Sequence, residues 1–194
     1  MATEPRRRLK PEQRRELILE AAGRQFAARG HDGTRLDDVA AAAGVTKPVL
    51  YRHFDDKTAL YLALLDRHAA DLGSFAGVIA PGGPLEERLR GVLEVWLDYV
   101  EGHAYAWRML FRDRGGGPAI QVVRDDVHAQ ARATLVGLIR VLAVRPVPEP
   151  ELEPLAELLS MGMASLALMW MDDPATGREA VVDAMVRVWA GVLR

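Results

Sequence analysis

The sequence predicts an all-α protein of about nine helices, and three observations predict it. Apolar residues recur at spacings of three and four along nearly the whole chain. Alternating apolar and polar runs of the strand type are absent. Glycines and prolines gather at a few breaks and leave helix-length segments between them. The pattern divides into residues 1–56, a basic arm with three short helices, and residues 57–194, a larger helical domain. At 194 residues, 49% hydrophobic and 27% charged, the chain has enough apolar side chains for a real core and enough charge to stay soluble.

Pro11 suits the first turn of the first helix, which carries Ile18, Ala22 and Phe26 on one face and stops before Gly30. A short second helix follows Thr34, with Leu36, Val39, Ala40 and Ala43 on one stripe, and Thr34 with Asp37 fits a capping-box variant. Gly44 ends it, and a third short helix runs to about Phe54. Asp55 and Asp56 then place carboxylates at the start of a longer helix reaching about Gly77. After the Pro81-Gly82-Gly83-Pro84 turn, helices are expected near 85–101 and 104–113, the latter closed by Gly115-Gly116-Gly117. Pro118 opens a long helix bearing Val123, Val127, Ala131, Leu135, Leu138 and Leu142. Four prolines between Arg145 and Pro154 read as a stiff connector, before two last helices near 152–171 and 176–193.

Composition removes several function classes. The absence of cysteine excludes disulfides, thiol nucleophiles and thiolate metal sites. The three serines (Ser74, Ser160, Ser165) stand in no nucleophile-elbow context, the five histidines show no paired metal-ligand spacing, and the glycine triplet lacks the Lys-Ser/Thr of a phosphate loop. No enzyme, metal site or cofactor is therefore expected. Where a signal peptide needs an apolar run, Pro11-Glu12-Gln13 follow the basic start, and the nearly apolar stretch from Leu158 to Met171 spans only 14 residues. A cytoplasmic protein with no membrane partner is the expectation. The net charge of −2 is uneven: residues 1–57 carry 12 basic and 9 acidic side chains, and residues 58–194 carry 13 and 18. A basic end on an acidic protein points to a polyanionic partner at that end.

The informative segment is Leu36 to Phe54, LDDVAAAAGVTKPVLYRHF. Two short helices joined through a glycine make a helix-turn-helix. Ala40 is small where the helices would cross, Gly44 accepts the left-handed backbone of a sharp turn, and Val45 and Leu50 tie the second helix inward. Left exposed on that helix are Thr46, Lys47, Pro48, Val49, Tyr51, Arg52 and His53, a mixture of donors, methyls and an aromatic suited to the major groove.

With Thr34, Val39-Ala40, Ala43-Gly44-Val45, Thr46, Leu50-Tyr51, Phe54, Lys57 and Ala59-Leu60-Tyr61 at matching places, residues 11–62 resemble the TetR family of transcriptional regulators. The resemblance implies that Thr46, Lys47, Pro48, Val49 and His53 face base edges or the adjoining backbone of double-stranded operator DNA. It implies that Tyr51, Thr34 or Arg35, and Lys57 meet phosphates, with Arg52 on the same face. Pro48-Val49 fills a region where members commonly carry a smaller residue, so base preference does not carry over. Arg6, Arg7, Arg8 and Lys10 could form a minor-groove arm.

The same resemblance implies a C-terminal domain that binds a small-molecule effector and forms a homodimer, so that the chain acts as a ligand-responsive regulator, a repressor. Trp96, Tyr99, Trp107, Phe111, His128, Met161 and Trp170 are candidates to line an apolar effector pocket. Leu158, Met161, Ser165 and Met169 on one helix, with Met185, Val188, Trp189 and Val192 on the last, are candidates for a four-helix contact between two copies. The rival readings are a helical protein-interaction module and a helical ligand carrier or enzyme.

Overall fold

The computed structural model describes residues 10–72, 82–173 and 175–194, with only the backbone of residues 69–72. The described residues form nine helices and no strand: α1 (Pro11–Gly33), α2 (Leu36–Ala42), α3 (Lys47–Tyr51), α4 (Lys57–Leu72), α5 (Leu85–Gly102), α6 (Ala104–Phe111), α7 (Gly117–Leu142), α8 (Glu149–Asp172) and α9 (Arg178–Leu193). The basic arm Arg6–Arg8 and the expected end of the fourth helix at Gly77 lie outside the described residues.

Several boundaries differ from the sequence reading, each for a local reason. Helix α1 does not simply stop before Gly30. It kinks there, because Gly30 takes φ 68° and ψ 174°, and a further turn continues to Gly33. The capping box expected from Thr34 and Asp37 is not formed. Arg35 occupies the N-cap position of α2 without a side-chain cap, while the Thr34 hydroxyl turns back to donate to the Gly30 carbonyl at 2.8 Å. At the start of α4 the expected carboxylate is present: the Ala59 N–H donates to Asp56 Oδ1 at 2.7 Å. The proline-rich connector is shorter than expected, since α8 begins at Glu149 and includes Pro150 and Pro154. Pro150 lies in the first turn, where backbone N–H groups have no helical acceptor, and Pro154 sits on the exposed side. At 24 residues α8 is also long and apolar enough, by length and composition, to cross a membrane. Here it packs Leu152, Ala156, Leu159, Met163, Ala164 and Ala167 into the protein interior.

Two hydrophobic cores result. The first joins Ile18, Leu19, Ala22 and Phe26 of α1 to Val39, Leu50, Leu60, Tyr61, Leu64 and Leu65, and continues into Met109, Leu110, Ile120 and Val127 of α6 and α7. The second is built by α5–α9 around Leu89, Trp96, Trp107, Leu135, Ile139, Met163, Met185 and Trp189. Helices α6 and α7 therefore belong to both cores, and α4 is bound to the larger domain by packing as well as by chain connection.

Candidate nucleic-acid interface and effector cavity

Helix α3 is held by one buried residue and presents the rest. Leu50 is wholly inaccessible, whereas Thr46, Lys47, Pro48, Tyr51 and Arg52 are exposed and Val49 and His53 half-buried. The turn before it rests on Gly44, at φ +66°, with the Val45 N–H donating to the Ala40 carbonyl at 3.0 Å. Lys47 and Pro48 occupy the first turn, where the missing proline N–H costs no helical hydrogen bond. Lys47 Nζ lies 2.7 Å from Asp37 Oδ1 of α2, both side chains about half exposed. That contact, first by hydrogen bond, holds the Asp37 carboxyl below its usual range and raises the Lys47 ammonium. At the start of α4, Lys57 Nζ donates to the carbonyls of Thr34 at 3.2 Å and Asp32 at 3.4 Å, which ties α4 to the end of α1.

Thr34 is a correction. Its side chain is buried and its hydroxyl donates to the carbonyls of Gly30 and Gln25, so it secures the α1–α2 corner and is not presented to a phosphate. Arg35 beside it is exposed.

In the larger domain an apolar cavity of about 70 Å³ lies among α5–α9. Of the candidate positions, Trp96, Trp107, Phe111 and His128 line it, together with Leu93, Leu135 and Met163. Trp96 meets Trp107 edge-on at 5.3 Å, and Phe111 lies 4.8 Å from Trp107 and stacks on His128 at 5.0 Å. Burial lowers the His128 pKa, the principal cause of its shift. Three candidates fall elsewhere. The Tyr99 hydroxyl lies 3.0 Å from His68 Nδ1, between α4 and α5; Trp170 packs half-buried against the outer part of the core; Met161 is on the surface, 49% exposed.

The outer faces of the last two helices are apolar. Leu158, Met161, Ser165 and Met169 of α8 and Val188 of α9 are exposed, and Val192 is half-buried. Met185 and Trp189 are corrections: both are buried in the core of their own subunit, and Trp189 borders the cavity. Helix α9 turns them inward because they lie within the stripe formed with Val181, Val182 and Val186, while Val188, at the edge of that stripe beside Val181, stays exposed.

Two family models match. The model for bacterial regulatory proteins of the tetR family covers residues 18–64, and the tetracyclin repressor-like C-terminal domain covers residues 85–191. The chain belongs to the TetR family. Its N-terminal part is the helix-turn-helix DNA-binding domain of TetR-family transcriptional regulators. Among relatives, it is 37% identical to the transcriptional activator FasR of Mycolicibacterium smegmatis over 55% of this chain and 49% of that protein. It is 26% identical to an uncharacterized HTH-type transcriptional regulator of Mycobacterium tuberculosis over 94% of this chain and 78% of that one. Thus the chain spans about half the length of FasR. A solved putative regulator from Pseudomonas aeruginosa superposes with a TM-score of 0.75 at 29% identity, covering 96% of this chain and 92% of that one.

Between the two halves of this TetR-family fold lies a buried polar cluster that sequence reasoning did not single out. Arg124 of α7, 3% exposed, donates to the Tyr61 hydroxyl at 2.6 Å and to the Gly115 carbonyl at 2.9 Å. Tyr61 of α4 donates to Asp113 Oδ2 at 3.0 Å, and the same carboxylate oxygen accepts the His31 N–H at 2.7 Å. Arg124 and Asp113 pair at 3.4 Å. Burial raises the Tyr61 pKa strongly, so the phenol stays protonated and remains a donor. The kink at Gly30 belongs to the cluster: a Cβ there would stand 2.9 Å from Asp113 Oδ1. Among the sequence features, only the glycines at 30 and 115–117 hinted at a close approach.

Proposed function

We propose that the protein is a cytoplasmic homodimeric repressor that occupies a pseudo-palindromic operator and leaves it when a small, mainly apolar effector enters the α5–α9 cavity. The observation that carries this reading is the α3 surface, where one buried leucine anchors a helix whose other faces offer Thr46, Lys47, Pro48, Val49, Tyr51, Arg52 and His53. In this reading Thr46, Lys47, Pro48, Val49 and His53 meet base edges or the sugar-phosphate beside them, while Arg35, Tyr51, Arg52 and Lys57 position the domain on phosphates.

Dimerisation supplies the second reading head. The exposed stripe Leu158, Met161, Ser165 and Met169, joined by Val188 and Val192, suits an isologous four-helix contact. Two α3 helices about 34–36 Å apart would then enter successive major grooves. The effector acts through differential affinity for two arrangements of the dimer. Phe111 and His128 line the cavity, and Asp113 and Arg124 stand close by on the same segments and bond Tyr61. A displacement of the cavity wall is thereby passed to α4 and to Lys57 at its start.

Selection of randomised duplex DNA by the purified protein at two salt concentrations tests the reading. Enrichment of an inverted repeat, weaker at the higher salt, is the expected result. Enrichment of a single half-site would remove the dimer, and no enrichment would remove the operator. In transcription from a promoter carrying the selected site, added protein is expected to lower transcript yield, and a rise would make it an activator.

A further inference from the structure

The cavity wall is aromatic and aliphatic, and none of its lining residues is Asp, Glu, Lys or Arg. An ion moved from water into such a space finds no counter-charge, and its desolvation goes uncompensated. The nearest arginines on α7 offer none. Arg124 is held by Tyr61, Gly115 and Asp113, and Arg132 pairs with Glu157 at 3.2 Å.

The wall nevertheless carries polar atoms that the protein leaves unused. Trp107 Nε1 and His128 Nε2 are buried and have no hydrogen-bond partner within the protein, although Trp107 as a whole is only 4% exposed. An indole N–H can only donate, so Trp107 requires an acceptor. Burial disfavours the charged form of His128, and a neutral imidazole nitrogen either donates or accepts according to its tautomer. Phe111 packs against both rings, 4.8 Å from Trp107 and 5.0 Å from His128, so the two residues stand close together on the wall. The Thr134 hydroxyl, also on the wall, is already committed to the Gln130 carbonyl at 3.0 Å.

Resting on the effector-responsive reading above, we propose that this cavity selects an uncharged, largely apolar molecule bearing one hydrogen-bonding oxygen, of the ketone, ester or alcohol class, and rejects carboxylates, phosphates and amines. A carbonyl oxygen accepts from Trp107 and from the protonated tautomer of His128. A hydroxyl accepts from Trp107 and donates to the other tautomer. The free space is several times what one water needs.

The test is calorimetric titration of the full chain at neutral pH with four probes of one chain length: 2-octanone, 1-octanol, octanoate and octylamine. The two neutral probes are expected to bind and the two ions to bind at least about tenfold more weakly. Trp107→Phe, which keeps the ring and removes the donor, is expected to weaken 2-octanone by about tenfold, with a thermal melt verifying that the variant folds. His128→Phe provides the second arm and should weaken 1-octanol by a similar factor. Equal or tighter binding of octanoate or octylamine, binding of none of the four, or indifference of both variants to the neutral probes would overturn the proposal. The same probes are then added to the protein on its selected operator. Neutral probes that bind but leave the DNA complex intact would remove the effector-release reading and leave the ligand class standing.

Discussion

The two cores share α6 and α7 but are completed in opposite ways. On the N-terminal side, Ile18, Ala22, Phe26, Tyr61, Leu64 and Leu65 are sealed from solvent, and the polar groups enclosed with them, Tyr61, Asp113 and Arg124, bond one another. On the C-terminal side, Trp96, Trp107, Phe111 and His128 border free apolar space. A filled, cross-bonded core moves as a unit, whereas a core with spare volume can rearrange around a guest. Helices shared by both can carry the second core's rearrangement into the first.

The strongest way to break this contrast is Asp113→Ala. It removes a partner of Arg124, Tyr61 and the His31 N–H together and leaves a guanidinium buried, so denaturant unfolding should show a loss of about 3–5 kcal/mol. Next comes a matched pair of enlargements. Ala22→Leu in the sealed core should cost about 1–3 kcal/mol through overpacking. Ala131→Leu on the cavity wall should instead raise stability by about 0.5–2 kcal/mol, retain DNA binding and abolish 2-octanone binding. Equal destabilisation by both would erase the distinction between the cores.

Smaller effects sharpen it from the DNA side. Tyr51→Ala and Lys57→Ala should weaken binding to all operators alike, and the Lys57 variant should reduce the salt slope by about 1. A change confined to one base position would instead assign these residues to base readout. The least effect is expected from pH. Because burial lowers the folded-state pKa of His128 below 6.5, protonation favours the unfolded chain, and this residue's contribution to stability should decline as pH falls through and below that range. His128→Phe should flatten that part of the stability profile; an unchanged profile would locate the titration elsewhere.

What the sequence discloses follows from what periodicity measures. Spacing marks which residues are apolar, so the helices, the glycine turn and the buried Leu50 were all legible. It does not mark which charged residue leaves the surface. Arg124 sits between Val123 and Asp125 and looks like an ordinary helix-face cation; only its partners, nine residues away at Gly115 and 63 away at Tyr61, make it internal. Thr34 misled for a similar reason. A threonine before a helix usually caps forward, but the Gly30 kink leaves a carbonyl for its hydroxyl behind it. On α9, Met185, Trp189 and Val188 are equally apolar, and only the packed neighbours decide that the first two turn inward. Composition pointed to aromatics near a pocket, yet which of them border free space is a property of volumes, not of residue type.

Lys47, already hydrogen-bonded to the Asp37 carboxylate, is not an idle cation awaiting a partner. Any acceptor on a base or a phosphate must outcompete an oxygen that stands 2.7 Å away before the complex forms. A poor acceptor loses that exchange and the lysine returns to its aspartate, so mismatched sequences gain little from its charge. In the proposed operator complex this half-exposed pair would act as a small competing interaction, felt most where the DNA acceptor is poor.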